Sequence, residues 1–448
     1  MSANDPLLLV VDYNLTRVAD VARIARHARS RYNAGTILIR AQPGARDREI
    51  ADYVVDLDPL AHGFIATALD RLAPFVGRIR AGVVFSDNAV QRGAELLEQL
   101  GLPVDSARFA AAAFSKSIYR ESESRIRELL EAQSIMVPQS TSVRELKDLH
   151  RFAEKHPGGF VLKPACEGNN RGVVIVRDGD DLSQAFALVE PYLAHGAIAE
   201  ELIPFRREFS FDGVGSTEFI TEKVSAEGRY PVEIAQILPA RLTDIERCTL
   251  TRAGRLANLV VGQRDGPFHN EIRLSDDGRR AAVVEPNRRP AGMKIWALAQ
   301  AVYGIDFYRN WVDVAFGNGR NEPVNATSRE AATVMLGVPA DGRYVPPPED
   351  AAQALLHRTV RRAEAVCGIS TGLIDVLEYA WLSPDKREIP EVPRENSDFA
   401  AQVCFAIDDG VADLRHLIRV LRNEWLAALK EAIDLGHVEY EQRIVEHA

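Results

Sequence analysis

Residues 268–292 read FHNEIRLSDDGRRAAVVEPNRRPAG, two strand-like runs on either side of Asp276-Asp277-Gly278. Asp-Gly between such runs is a strong turn signal, so the segment is read as an antiparallel hairpin. Residues two apart on a strand share a face, so His269 and Glu271 project together, as do Glu285, Asn287 and Arg289. If the two strands pair, two carboxylates and an amide converge. Hard oxygen donors of this kind suit Mg2+, with Mn2+ as the alternative, completed by substrate phosphates and water. The same residues also fit a solvated hairpin face with a Glu to Arg cross-strand pair, so the context has to decide.

Upstream, Lys163 lies inside the apolar run FVLKPA, where an ammonium ion without an anion is costly to bury. The stretch that follows, CEGNNRGVVIV, places Gly168, Asn169, Asn170, Arg171 and Gly172 in a turn before a strand. Backbone N–H groups and an Arg fork in such a loop can hold phosphate oxygens, although Gly and Asn in a turn need no ligand. Next comes AEELIPFRREFSFDG, with Glu200, Glu201, Leu202, Ile203 and Glu208. A connection between lobes there could offer backbone groups to a flat base while Glu208 accepts from ribose hydroxyls. A charged edge strand explains the same residues.

Residues 7 to 105 alternate short aliphatic runs (LLLVV, TILIR, YVVDLD, AGVVFS) with helical stretches, a βαβα pattern that implies a parallel sheet covered on both faces. Leu8, Val10, Ile37, Ile39, Val54, Val83 and Val84 are its expected core. The turn after the first strand, VDYNLTR, lacks the G-x-G-x-x-G of dinucleotide-binding folds. A linker, GLPVDSARFAAAAF, leads to a helix expected from Lys116 to about Gln133 and then to a small α/β lobe. RYVPPPED and NSDFAAQVCFAI, before a last helix, suggest a terminal α/β appendage.

A length of 448 residues implies several lobes, and 46% apolar with 26% charged residues implies an ordinary globular chain. The net charge of -10 disfavours generic attraction to nucleic acid or anionic membrane. Cys166, Cys248, Cys367 and Cys404 form no C-x-x-C pair, which fits a reducing compartment. No apolar run reaches the roughly 18 residues of a spanning helix, and the first residues do not have a signal-peptide pattern. A cytoplasmic protein is expected.

Taken in order, these pieces resemble the ATP-grasp superfamily of carboxylate-amine ligases. Lys116-Ser-Ile-Tyr-Arg120 matches the family's Lys-x-x-x-Arg, Lys163-Pro164 with Gly168 to Gly172 its Lys-Pro strand and flexible loop, and Glu200 to Ile203 with Glu208 its hinge and ribose Glu. His269 and Glu271, then Glu285, Asn287 and Arg289, match its last two strands. The resemblance implies an α/β ATP-grasp fold with an N-terminal domain over 1–108, a central lobe over 109–200, a C-terminal lobe over 201–330 and an appendage over 331–448. It implies ATP with Lys116 and Lys163 on its phosphates, metal on Glu271, Glu285 and Asn287, Arg289 on the oxyanion of the acyl centre, and His269 assisting removal of the amine proton.

The stretch 221–242, TEKVSAEGRYPVEIAQILPARL, looks like the acceptor-side strands of amino acid ligases, which points to a small-molecule carboxylate and amine, both amino acids. The resemblance leaves a homodimer open. Two departures stand out: the loop is poorer in glycine than in biotin carboxylase-like members, and Arg288 replaces a small residue or proline, which would suit a substrate or phosphate contact. Activation of formate, bicarbonate or carbamate is the alternative chemistry, and a non-catalytic ATP-binding module is the alternative class.

Overall fold

The computed structural model describes residues 5–13, 17–319, 321–325, 327–338, 349–382, 389–390 and 392–446. Asn14 to Thr16 of the expected turn after the first strand, and residues 343–348 of RYVPPPED, lie outside them. The chain opens as β1 (Leu7–Val11), α1 (Val18–Tyr32), β2 (Gly35–Arg40), α2 (Ala45–Ile50), β3 (Tyr53–Asp56), α3 (Phe64–Leu72), β4 (Ile79–Val84) and α4 (Val90–Gln99). The strands form a parallel sheet in the order β3-β2-β1-β4. Every residue of β1 is buried, Leu8 and Val10 in one core and Leu7, Leu9 and Val11 in another, because helices cover both faces.

After α5 (Ala107–Ala110), the expected single helix from Lys116 is two helices, α6 (Lys116–Arg125) and α7 (Arg127–Ala132), separated at Ile126. A small lobe follows: β5 (Ser140–Val143), α8 (Leu146–Lys155), β6 (Phe160–Pro164), β7 (Val174–Val176), α9 (Leu182–Val189) and β8 (Ala197–Glu201). Its sheet runs β5-β8-β6-β7 and is antiparallel.

The largest sheet begins with β9 (Arg207–Val214), β10 (Thr217–Ser225) and β11 (Glu233–Leu238). Then come α10 (Asp244–Val260), β12 (Pro267–Leu274), β13 (Ala281–Asn287), α11 (Ile295–Tyr303) and α12 (Phe307–Ala315). It ends with β14 (Arg329–Leu336), α13 (Glu349–Cys367), β15 (Asp375–Trp381), β16 (Ala401–Asp408) and α14 (Leu414–Glu446). The eight strands lie in the order β13-β12-β9-β10-β11-β14-β16-β15. The sheet is therefore continuous across residue 330. The expected boundary there falls inside β14, and the supposed appendage adds three strands to the preceding lobe through the pairing of β11 with β14.

Across β9, β10 and β12 one face of this sheet is apolar. Phe209, Phe211, Phe268 and Ile272 pack beneath α10, and the Phe211 and Phe268 rings stack with centroids 5.2 Å apart. The helix approaches so closely that a Cβ on Gly254 would lie 2.3 Å from the Phe211 ring. Thr243 and Glu246 cap α10 reciprocally, a device that contributes about 1 kcal/mol. The same strands turn Ser210, Asp212, Thr221, Lys223, His269 and Glu271 to the other face, so strand alternation places a polar array on a rigid floor. Among the described residues, no helix is long and apolar enough to cross a membrane.

Candidate active site

The hairpin pairs as the sequence predicts, with Glu271 opposite Glu285 and His269 opposite Asn287, and a bulge follows Glu271. The two carboxylates and the amide thus share one patch of the floor. Asn287 donates its Nδ2 to the His269 carbonyl at 3.1 Å, which orients the amide and leaves its oxygen as the outward donor atom. Glu285 pairs with Lys116 at 2.8 Å and Glu271 with Lys223 at 2.7 Å. Burial opposes ionisation of Glu271, but Lys223 and His269 outweigh it and hold the carboxyl well below the usual range. Among the described residues, no three His, Cys, Asp or Glu side chains gather into a metal-ligating group. A carboxylate pair with one amide oxygen still fits a hard divalent cation whose other positions belong to phosphate and water.

His269 is fixed on both sides: Nδ1 lies 2.6 Å from Asp212, and Nε2 lies 3.5 Å from Glu271. Ser210 and Thr221 donate to the other oxygen of the buried Asp212, at 2.6 and 2.7 Å. Burial works against the charged ring, yet Asp212 and Glu271 push its pKa up to about 9. The geometry supports an orienting part for His269.

Lys116 starts α6, whose N-cap is Ser115, and its Nζ donates to the Glu167 carbonyl at 2.7 Å. It therefore touches both the loop 166–172 and the hairpin. Burial lowers the Lys116 pKa, but Glu285, Asp87 and Glu271 outweigh it and the net direction is upward. Lys163, in the middle of β6, is buried and lies 2.9 Å from Glu200 on β8. The same Glu200 oxygen accepts from Arg120 at 3.1 Å.

Burial opposes the Glu200 charge, and Arg120 and Lys163 overcome it to hold the carboxyl down at about 2. Lys163 is itself pushed down, by burial first and then by Arg120 and Lys116, against the pull of Glu200. Lys163 and Arg120 share this carboxylate, and Arg120 has Glu123 as a second partner. A buried ammonium with one shared counter-charge is suited to an incoming anion. The second oxygen of Glu200 is buried without a hydrogen-bond partner among the described residues, an acceptor left for a ligand N–H or a water.

The loop joins this cluster. Asn169 and Asn170 have φ of 59° and 60°, and Gly172 has φ +68° with Pro164 2.9 Å from where its Cβ would lie. Arg171 pairs with Glu167 at 2.7 Å, and Asn396, far along the chain, donates its backbone N–H to the Asn169 carbonyl at 3.1 Å. Gly168 is open on its side-chain face. Of the hinge residues, Glu200 is in the lysine cluster, whereas Glu201 accepts from the Gln139 N–H at 3.1 Å and points toward the start of the small lobe. Leu202 packs over Gly159, and Ile203 follows it, half-buried. Glu208 lies on the polar floor opposite Lys223, accepting from Ser225 at 2.6 Å.

One expectation changes and two further residues take a part. Arg288 donates to the carbonyls of Asp105, Ser106 and Val261 at 2.7 to 3.2 Å, so it pins the linker and does not face the cluster. Arg120 donates to the carbonyls of Val283 and Val284 as well as to Glu200, which fastens α6 to β13. Lys223, absent from the expected set, sits among Glu233, Glu271 and Glu208 at the centre of the floor. A weaker form of the Lys163 signal was available: it is a lysine in a strand-like run, EFITEKVS, that also carries Glu218 and Glu222.

No family model matches the chain. It is 25% identical over 218 residues to the alanine–anticapsin ligase of Bacillus amyloliquefaciens, covering 43% of this chain and 46% of that protein. It is 28% identical over 179 residues to the D-alanine–D-alanine ligase of Acidiphilium cryptum, covering 35% of this chain and 54% of that protein. The chain thus spans about half the length of these curated relatives. Among solved structures, the L-amino acid ligase from Bacillus licheniformis superposes with a TM-score of 0.71 at 18% identity, over 94% of this chain and 98% of that one. N5-carboxyaminoimidazole synthetase from Staphylococcus aureus, complexed with ADP, gives 0.63 at 13% identity, over 95% and 100%. The fold is that of the ATP-grasp proteins.

Proposed function

We propose that this chain is an ATP-dependent, ADP-forming ligase that activates the carboxylate of one amino acid as an acylphosphate and joins it to the amine of another. The observation that carries the reading is the polar floor itself. Glu271 and Glu285 face lysines contributed by separate elements, Lys116 from α6 and Lys223 from β10, with Lys163 beside them on Glu200. The named relatives that match over part of the chain join amino acids, and this supports the choice of substrates.

ATP is the substrate on this reading, with Lys116, Lys163 and the N–H groups of residues 168–172 on its phosphates and the 200–203 segment and Glu208 toward its nucleoside. Glu271, Glu285 and the Asn287 oxygen would hold magnesium, which supplies charge neutralisation as the γ-phosphoryl group transfers. Lys116 and Lys223 then leave their carboxylates: Lys116 turns to phosphate, and Lys223 stays with Glu233. The substrate carboxylate attacks the γ-phosphate, its oxygen forming the new P–O bond as ADP leaves. The amine of the second substrate then attacks the acyl carbon through a tetrahedral intermediate whose oxyanion faces Arg289, the C–O bond to phosphate breaks, and the amine proton leaves with the phosphate. His269 holds Glu271 in place throughout.

Purified protein assayed for ADP release with ATP, Mg2+ and pairs of amino acids tests the reading. Release that requires two amino acids and yields an amide supports it. Release with bicarbonate alone, or binding of ATP without hydrolysis under any pair, replaces it with the carboxylate-activating or non-catalytic alternative.

A further inference from the structure

The segment that carries Arg289 is tied down residue by residue to the N-terminal part of the chain. Arg288 donates to the carbonyls of Asp105 and Ser106. Arg289 Nε lies 2.5 Å from Asp87 Oδ1, and its Nη1 donates to the Pro290 carbonyl at 3.1 Å. Arg17, at the start of α1, donates to the carbonyls of Pro290 and Ala291. Five contacts from three separate places fix four consecutive positions.

Asp87 stands in the short turn after β4. In the order β3-β2-β1-β4 the chain reverses direction across the sheet between β1 and β4, and the carboxyl ends of strands at such a point are where open α/β sheets offer groups to ligands. Here the offered group is a carboxylate, and its partner is a side chain 202 positions further along the chain. The contacts use Nε and Nη1 and leave Nη2 as the donor group outside them. Besides Asp87, the charges of Glu285 and Glu271 act on this guanidinium, so it borders the carboxylate pair. An arginine has a long, freely rotating stem, and electrostatic stabilisation of a developing oxyanion depends on donors that are already aimed.

We propose that Asp87 is a positioning residue: through Nε of Arg289 it sets the aim of the guanidinium at the acyl centre, so that the N-terminal domain contributes to the chemistry without touching it. This rests on the ligase reading above. The domain's part in the reaction is then specific and separable from its part in folding.

The test compares Asp87→Asn, which keeps size and removes charge, with Asp87→Glu, which restores the charge, in the full-length protein. With the amino acid pair that supports ADP release, Asp87→Asn is expected to lower turnover about 10- to 100-fold, the scale of a slightly misplaced catalytic group. The KM for ATP is expected to change by about twofold or less, because the contact is made at the acyl centre and not at the nucleotide. Asp87→Glu should recover part of the loss. The Asp87→Asn/Arg289→Ala double variant should be no slower than Arg289→Ala alone, since one effect acts through the other.

A second readout needs no turnover: the 15Nε–H resonance of Arg289, assigned by its disappearance in Arg289→Lys, should shift in Asp87→Asn. Wild-type turnover in Asp87→Asn, or losses that multiply in the double variant, would overturn the proposal. Should the wild type release no ADP with any amino acid pair, the ligase reading fails, and an unmoved Nε resonance then overturns the coupling while a moved one upholds it.

Discussion

The four-stranded parallel sheet buries both faces of β1 and β2, whereas the β9, β10 and β12 part of the eight-stranded sheet buries one face under α10 and gives the other to charged side chains. In the first, a polar side chain in mid-strand has nowhere to go, and the functional candidate, Asp87, stands at a strand end, after β4. In the second, alternation leaves every other residue of β9, β10 and β12 free for chemistry, and Glu208, Lys223, His269 and Glu271 all lie in mid-strand. Sites on strands inherit the rigidity of the ladder, and sites at strand ends depend on what they touch.

The sharpest way to break this contrast is Glu285→Gln, which removes one charge from the floor at constant size. ADP formation is expected to fall by about 10³-fold or more and the Mg2+ requirement to rise, with the circular dichroism and melting temperature nearly unchanged. Near-normal Mg2+ dependence would return the hairpin to a solvated face. Lys163→Ala comes next, with a loss of about 10²-fold in turnover and weaker ATP binding, since Arg120 still neutralises Glu200 and the fold survives. Intact ATP affinity in that variant would remove Lys163 from the phosphate site.

Leu9→Ala sharpens the contrast from the other side. Leu9 is fully buried in β1, so its truncation should cost about 2–5 kcal/mol in denaturant unfolding. Activity per folded molecule should not change, because mid-strand positions of this sheet hold the domain and not the substrate. The smallest effect expected is on pH dependence. The Glu200 carboxyl is depressed to about 2, so its stabilisation is complete above the ordinary carboxylate pKa and is lost as pH falls through about 2. Glu200→Gln should therefore flatten the fall in stability below about pH 4.5, as read by urea midpoints. A slope equal to wild type would mean that the carboxylate is not held ionised by Arg120 and Lys163.

Much of this was legible in the chain because strands carry period-two patterns. The hairpin 268–292 announced its register through Asp-Asp-Gly, and Lys163 stood out as a charge inside FVLKPA. Lys223 gave the same signal in EFITEKVS but sits between acidic and polar neighbours, so the run reads equally as a charged edge. The pairing of Gln236 with Thr333 joins strands nearly a hundred residues apart, which no local pattern encodes, and the boundary at 330 was misplaced for that reason. Asp87 is one acid in a turn, and its partner is 202 positions away. The contact that orients His269 comes from the buried Asp212 on another strand, which no local pattern announces.

The central claim is that lysines, loop and carboxylates surround the terminal phosphates of ATP and drive attack by a carboxylate there. Nucleotide product analysis tests it most directly. With a productive amino acid pair, the account predicts ADP, free phosphate and amide in equal amounts. AMP with pyrophosphate would place the attack at the α-phosphate and contradict it.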